Sequence, residues 1–306
     1  MSASASFGVA LPHRAADPLS PTIVAEFARR AESAGFRDLW VTENVIDPAF
    51  CLTPALALTY AAAVTSRIGL GVAVLILPLH NPIHVADAFG TLQTLSGGRS
   101  ILGVGLGKEH HYAQFGVPLE RRVRRLTESV EAMRALWRDP MVSFSGELIS
   151  FSDVSLAARP ATAPPVWFGG GTPAALDRAA RLADGWVGSG GGESNEHFRR
   201  NVAELRAQLA AHGRDSATFP ISKRVFLSID SDRSRARDRL ASWFGGIYGD
   251  AARADTHGVA GTRADVADHI AGLQAAGATH IILNPVGHYL EQLDELVELV
   301  DAMPQR

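Results

Sequence analysis

The sequence predicts a single-domain (β/α)8 TIM barrel spanning residues 1–306, and three observations carry that reading. Eight short apolar runs of strand length alternate with amphipathic helical stretches along the whole chain, the pattern of a parallel sheet covered by helices. The runs are nearly continuous rather than alternating in polarity, as strands buried on both faces must be. No Ser- or Pro-rich linker divides the 306 residues, a length that one α/β barrel fills. A doubly wound open sheet is the rival arrangement; eight regular units favour closure.

In chain order the strands read as 7–11, 38–43, 68–75, 100–105, 165–169, 185–188, 222–229 and 279–284, each bounded by glycine, proline or polar residues. Between them, 22–34 sets Ile23, Phe27, Ala31 and Ala34 on one helical face. In 122–137, Val123, Leu126, Val130, Met133 and Trp137 recur at spacings of three and four, the signature of an amphipathic helix. The stretches 265–276 and 290–303 are similar. Two segments break the rhythm. Residues 139–164 read as a small hairpin insertion ahead of the fifth strand. Residues 243–261, rich in glycine and aromatics, lie between the seventh strand and the next helix. Loops that follow barrel strands build the catalytic face, so this segment is a candidate lid, with a long loop packed on the barrel as the alternative.

Composition excludes several function classes. Apolar residues make up 46% and charged residues 20%, a globular balance. A lone cysteine, Cys51, rules out a disulfide framework and a four-cysteine metal site. A net charge of −3 argues against nucleic-acid and anionic-membrane partners. No uncharged apolar run reaches the roughly 18 residues of a membrane span. Residues 1–6 carry no basic and apolar leader pattern, so a cytoplasmic protein is expected. Eleven histidines raise a metal site, but neither His80 with His84 nor His110 with His111 has a carboxylate at a completing spacing, so no metal is expected. Without a Gly-x-Ser-x-Gly elbow or a catalytic-cysteine context, nucleophilic hydrolysis is unlikely chemistry for this chain.

The active face of a barrel collects whatever follows each strand. The segment Val166-Trp167-Phe168-Gly169-Gly170-Gly171-Thr172-Pro173 is the most informative. A strand runs into three glycines, then Thr172 as helix N-cap and Pro173 at the first helical position. Backbone amides left open there suit a phosphate, and three consecutive glycines exceed what a tight turn needs. A second glycine cluster follows Ser189 at the end of the sixth strand. Gly103-Val104-Gly105-Leu106-Gly107 is not a dinucleotide fingerprint, because its third glycine comes a residue early and no helix begins at once. These glycines let a ligand approach the strand end. Glu43-Asn44 after the second strand and Glu109-His110-His111 after the fourth also fall on this face.

Read together, these segments resemble the luciferase-like flavin-dependent oxidoreductases over nearly the whole chain. The resemblance is carried by Ala34-Gly35-Phe36-Arg37-Asp38-Leu39-Trp40-Val41-Thr42-Glu43 and by Thr65-Ser66-Arg67-Ile68-Gly69-Leu70-Gly71 through Pro78 and Asn81-Pro82. Leu95-Ser96-Gly97-Gly98-Arg99, Phe115-Gly116-Val117-Pro118 and Ala183-Asp184-Gly185-Trp186 continue it in the same order. It implies a barrel that binds coenzyme F420 or FMN non-covalently, F420 being favoured. The ring would lie over the third and fourth strands, against Ala73, Val74 and Gly105. The phosphate would lie at Gly169, Gly170, Gly171, Thr172 and Ser189. The implied activity is hydride transfer to, or monooxygenation of, a small organic substrate, with a non-catalytic flavin-binding protein as the alternative. One departure stands out: many members carry a histidine where this chain has Asn44, which cannot transfer a proton at neutral pH. Glu43, Asn44, Glu109 and His110 therefore remain as catalytic candidates. The resemblance also implies a non-prolyl cis peptide between Ala73 and Val74. It further implies a homodimer, since the family commonly pairs through helices of this region and 55–64 is apolar over more than one face.

Overall fold

A computed structural model describes residues 5–188 and 194–303. Eight parallel strands close on themselves: β1 (Ser6–Ala10), β2 (Asp38–Val41), β3 (Gly69–Ile76), β4 (Ser100–Gly105), β5 (Val166–Gly169), β6 (Gly185–Gly188), β7 (Ile221–Ile229) and β8 (His280–Pro285). β8 returns to β1 with Gly8 opposite Ile282, and Val187 of β6 lies opposite Ser222 of β7. The open doubly wound sheet is thereby excluded. The outer helices are α1 (Pro21–Ser33), α2 (Pro54–Ala63), α3 (Pro82–Leu95), α4 (Arg122–Arg138), α5 (Pro173–Leu182), α6 (Asn195–Ala211), α7 (Arg233–Tyr248), α8 (Arg263–Ala275) and α9 (Tyr289–Ala302). None of the described helices is long and apolar enough to cross a membrane.

Local chemistry starts these helices. Ser20, Asn81 and Thr172 each accept a backbone amide at an N-cap, and a proline follows each at the first helical position. The proline lacks the amide that would otherwise go unpaired there, and its fixed φ already suits a helix. In α1 the buried stripe is Val24, Phe27, Ala28 and Ala31. It lies about one residue from the stripe read off the sequence, so Ile23 is half-buried and Ala34 exposed. Residues Val142–Ser145 and Ser150–Val154 pair as an antiparallel hairpin. Its turn is tied to α4 by the buried Glu128 carboxylate, which accepts the amides of Glu147 and Leu148 at 2.9 Å each and of Ile149 at 3.1 Å.

The segment 243–261 is not a loop. Its first residues complete α7, and Gly258–Gly261 forms a ninth strand parallel to the end of β7, with Ala260 opposite Ser228. Packing overrides the low helix propensity of Gly245 and Gly246. The rings of Trp243 and Phe244 stand 5.1 and 5.3 Å from that of Phe226. The end of α7 is fixed to the barrel mouth by aromatic contact.

The interior of the barrel is plugged by aromatics instead of by layers of branched aliphatics. Trp40 and Trp167 stand with ring centroids 5.3 Å apart, and the His280 ring is 5.8 Å from each. The indole N–H of Trp40 donates to Asp38. His280 places Nε2 3.1 Å from Asp38 Oδ1 and Nδ1 2.8 Å from Ser6 Oγ. Glycines make room for this plug. A Cβ on Gly71 would stand 2.4 Å from the Trp40 ring, and one on Gly185 2.7 Å from the Trp167 ring. Ala73, Val187 and Ile282 complete the same buried cluster. Overpacking a filled core costs about 1–3 kcal/mol, so Gly71→Ala is expected to lose that much stability in urea unfolding. Gly246→Ala, where the nearest atom to the new Cβ is 3.5 Å away within a helix, is expected to be neutral or stabilising by up to about 1 kcal/mol. Equal effects in the two variants would contradict the packing account.

Candidate active site

Two cavities adjoin at the C-terminal ends of the strands. The larger, about 370 Å³, lies over β3 to β6 and is floored by Ala73 and Val187, the top of the tryptophan plug. Val74, Gly105, Gly107, Gly169, Gly170, Gly171 and Thr172 line its wall. The peptide between Ala73 and Val74 is cis. A Cβ on Gly103 would stand 2.1 Å from the carbonyl oxygen of Val72, and one on Gly105 2.7 Å from the Val74 side chain. The Gly-x-Gly-x-Gly run thus lets β4 pack tightly on β3 and leaves the cleft open above.

Beyond β5 the chain takes positive φ at Gly170, a conformation natural to glycine. It is held by the Trp186 indole N–H, which donates to the Gly170 carbonyl at 2.7 Å. Thr172 caps α5 through Ala175 N at 3.3 Å. Among the described residues no backbone acceptor takes the amides of Gly171 and Thr172. Arg178, one turn into α5 and 7% exposed, also lines the cleft, and its Nε is buried without a partner. Burial works against its charge, so an anion in the cleft is what would compensate it. Open amides at a helix start, glycines and a buried guanidinium together make an anion cradle. Sequence reasoning missed Arg178, because an arginine in Asp177-Arg178-Ala179-Ala180-Arg181 reads as solvent-facing. Ser189 lies outside the described residues.

The smaller cavity sits under the end of α7, lined by His13, Arg14, Thr42, Arg224, Phe226, Trp243 and Tyr248, among others. His13 is fully enclosed. Its Nδ1–H donates to the Leu11 carbonyl at 2.6 Å, and its Nε2 accepts the Thr42 amide at 2.9 Å. That pairing fixes one neutral tautomer, and burial, with Arg224 and Arg14 nearby, pulls its pKa down to about 4. Arg14 pairs with Asp47, donates to the Tyr248 hydroxyl at 2.8 Å and stacks on the Tyr248 ring. Burial pushes the Tyr289 hydroxyl, which donates to the Arg14 carbonyl, up to about 12.

The four acid–base candidates line neither cavity. Glu43 is buried and accepts the Ile76 amide at 2.6 Å and His80 Nε2 at 2.7 Å, tying the ends of β2 and β3 together. Asn44 donates to Thr42 Oγ1 at 3.0 Å. Glu109 and His110 sit on a short exposed helix, Glu109–Gln114. The Glu109 side chain is 69% exposed and paired with Arg122 at 3.0 Å, because the fourth strand ends before this helix and directs it outward. The ring of His110 stands edge-on to that of His111, 4.3 Å away. The pKa of His111 is lowered by burial first and then by the charges of His110 and Lys108.

With this geometry in view, the family model described as luciferase-like monooxygenase matches residues 5–302. The chain belongs to that family. Among its relatives, an F420-dependent glucose-6-phosphate dehydrogenase of Kineococcus radiotolerans is 30% identical over 237 residues, covering 74% of this chain and 70% of that protein. A 5,10-methylenetetrahydromethanopterin reductase of Archaeoglobus fulgidus is 29% identical over 218 residues, covering 69% of this chain and 62% of that protein. In fold, a solved F420-dependent secondary alcohol dehydrogenase with an F420–acetone adduct superposes with a TM-score of 0.86 over 99% of both chains, at 20% identity. In all of these family comparisons the barrel carries the likeness.

The enclosed His13 gives the site a pH signature. Its folded pKa lies below its unfolded value of 6.5, so the unfolded chain binds the extra proton and stability falls as pH drops from about 6.5 to about 4. A shift of this size corresponds to on the order of 3 kcal/mol. His13→Gln keeps one donor and one acceptor without the titration. Its unfolding free energy is expected to lose correspondingly less than that of the wild type between pH 7 and pH 4. Parallel pH profiles would contradict the assignment.

Proposed function

We propose that this chain is an oxidoreductase of the luciferase-like family that uses coenzyme F420, or alternatively FMN, to transform a small organic substrate. The observation that carries the reading is the larger cleft. Ala73, Val74 and Gly105 line its inner end, and Gly169, Gly170, Gly171, Thr172 and Arg178, whose Nε has no partner, line its outer end. The flat inner end, without side chains on Gly105 and Gly169, accepts a planar ring. The outer end offers amides and a guanidinium to a phosphate. These residues hold the cofactor in the proposal. When bound, the cofactor supplies two-electron hydride chemistry, and in the FMN case oxygen activation as well. F420 is preferred because the relatives at about 30% identity are F420-dependent enzymes.

The chain's own contribution to the reaction is mostly positioning. Glu43 holds β3 in place through Ile76 and keeps His80 beside it. Asn44 and Thr42 present polar atoms at the mouth, and the neutral His13 braces Thr42 from behind. Glu109, turned outward into its ion pair, takes no part in the proposal.

Gly170→Val tests the cradle. A branched residue is disfavoured at this positive φ, and a Cβ there already meets Ala175 at 3.0 Å. F420 affinity, read by fluorescence titration, is expected to fall about tenfold or more with the far-ultraviolet circular dichroism unchanged. Unchanged affinity would remove the phosphate from this loop. Turnover of the bound cofactor, reduced and then offered oxygen or carbonyl acceptors, separates an enzyme from a flavin-binding protein.

The proposal includes a homodimer. On α2, Leu56 is 72% exposed and Tyr60 42%, and both border an apolar groove with Leu19, Val24 and Leu52. A second copy covering this face would remove that apolar surface from water. Light scattering at micromolar concentration is expected to give twice the chain mass for the wild type and a monomer for Leu56→Glu. A monomeric wild type would contradict it.

A further inference from the structure

Arg224 projects from β7 into the barrel mouth and forms the wall shared by the two cavities. Its guanidinium carbon lies 4.7 Å from the Phe226 ring centroid. The ionisable groups that act on it are Tyr248 and Arg14, and neither is a carboxylate. Among the described residues it has no hydrogen-bond or ion-pair partner. Two other arginines packed against the barrel have acceptors for most of their donors. Arg14 has Asp47 and Tyr248, and Arg99 donates to the carbonyls of Ser96, Ile68, Ala62 and Thr65. Arg224 is half-buried at the cavity mouth, so its guanidinium has lost part of its hydration, and an anion arriving there would replace it.

The surroundings define what that anion is. The narrow cavity beside Arg224 holds about 20 Å³, room for a group of one or two water volumes. Its polar lining is donor-rich. Arg14 Nε is buried there without an acceptor, His13 presents a ring whose two nitrogens are already engaged, and none of the described Asp and Glu residues borders it. A planar guanidinium fork matches a planar carboxylate with two parallel hydrogen bonds. The phosphate cradle is on the far side of the larger cleft, at β5 and α5, with its own arginine.

We infer that Arg224 is a receptor for the carboxylate head of the substrate, so that the molecule turned over at this barrel is a small organic acid. The inference rests on the cofactor reading for the word substrate, but carboxylate capture itself does not. Bound at Arg224, the head group reaches into the narrow pocket under α7. The rest of the acid then extends into the larger cleft, where the ring would lie.

The test uses benzoate and acetate against the matched neutral amides benzamide and acetamide, titrated calorimetrically into the full-length protein with and without F420. The carboxylates are expected to bind and the amides to bind about tenfold more weakly or worse. Arg224→Met is expected to lose carboxylate binding by about tenfold or more and keep F420 affinity within about twofold, while Arg224→Lys keeps part of it. Amides binding as well as carboxylates would overturn the inference, as would an Arg224→Met variant that still binds them. So would a variant that loses F420 but not the carboxylate, which would assign Arg224 to the cofactor. Carboxylate capture by the wild type, lost in Arg224→Met, upholds the receptor even where F420 fails to bind; that last result would count against the cofactor reading alone.

Discussion

The fit of two tryptophans inside an eight-stranded barrel is the constraint on which the rest of this structure depends. Trp40 and Trp167 are large enough to fill the interior only because Gly71 and Gly185 have no side chains to meet them. The buried Asp38 accepts the indole N–H of Trp40, with His280 beside it. The top of this packed column, Ala73 with Val187, is also the floor of the larger cleft. A close-packed interior has low compressibility and passes strain on, so the surface on which a planar ring would rest is set by the core beneath it. Fold stability and cofactor seating therefore share the same residues.

Above the plug, polar groups are spent on order. Glu43 fixes β3, His13 fixes the ends of β1 and β2 as a neutral ring, and Arg14 with Asp47 and Tyr248 fixes α7 over the mouth. Two guanidinium groups lack an ion-pair partner among the described residues, the buried Arg178 at the glycine cradle and the half-buried Arg224 at the junction of the cavities. Buried charges without partners are costly to the fold. Their separation places one anion requirement at the cradle and a second at the mouth, the arrangement expected for a phosphorylated cofactor and an acidic substrate.

Much of this was legible in the sequence because local rules and global packing agree there. Continuous apolar runs marked all eight barrel strands to within a residue or two at most ends, and the Gly-Gly-Gly-Thr-Pro segment announced both a helix start and an open loop. The misses have physical causes. Residues 243–261 read as a loop and candidate lid because they are rich in glycine and aromatics and follow a barrel strand; contact of Trp243 and Phe244 with Phe226 holds the first of them in a helix instead. Glu109, a catalytic candidate in the sequence, stands on a short exposed helix and pairs with Arg122, a placement its position after β4 does not announce. Arg178 and Arg224 went unread since an arginine in a helix or strand carries no mark of burial. Only the cavity around each shows that its partner is lacking.

The central claim is that the plug-floored cleft seats a cofactor with its ring on Ala73 and Val74 and its phosphate on Gly171, Thr172 and Arg178. A crystal structure of the protein grown with F420 tests it most directly. The account predicts the phosphate within hydrogen-bond reach of the Gly171 and Thr172 amides and of the Arg178 guanidinium, with the ring stacked over the Ala73–Val74 peptide. A cofactor bound anywhere else, or a phosphate seated on Arg224 instead, would contradict it.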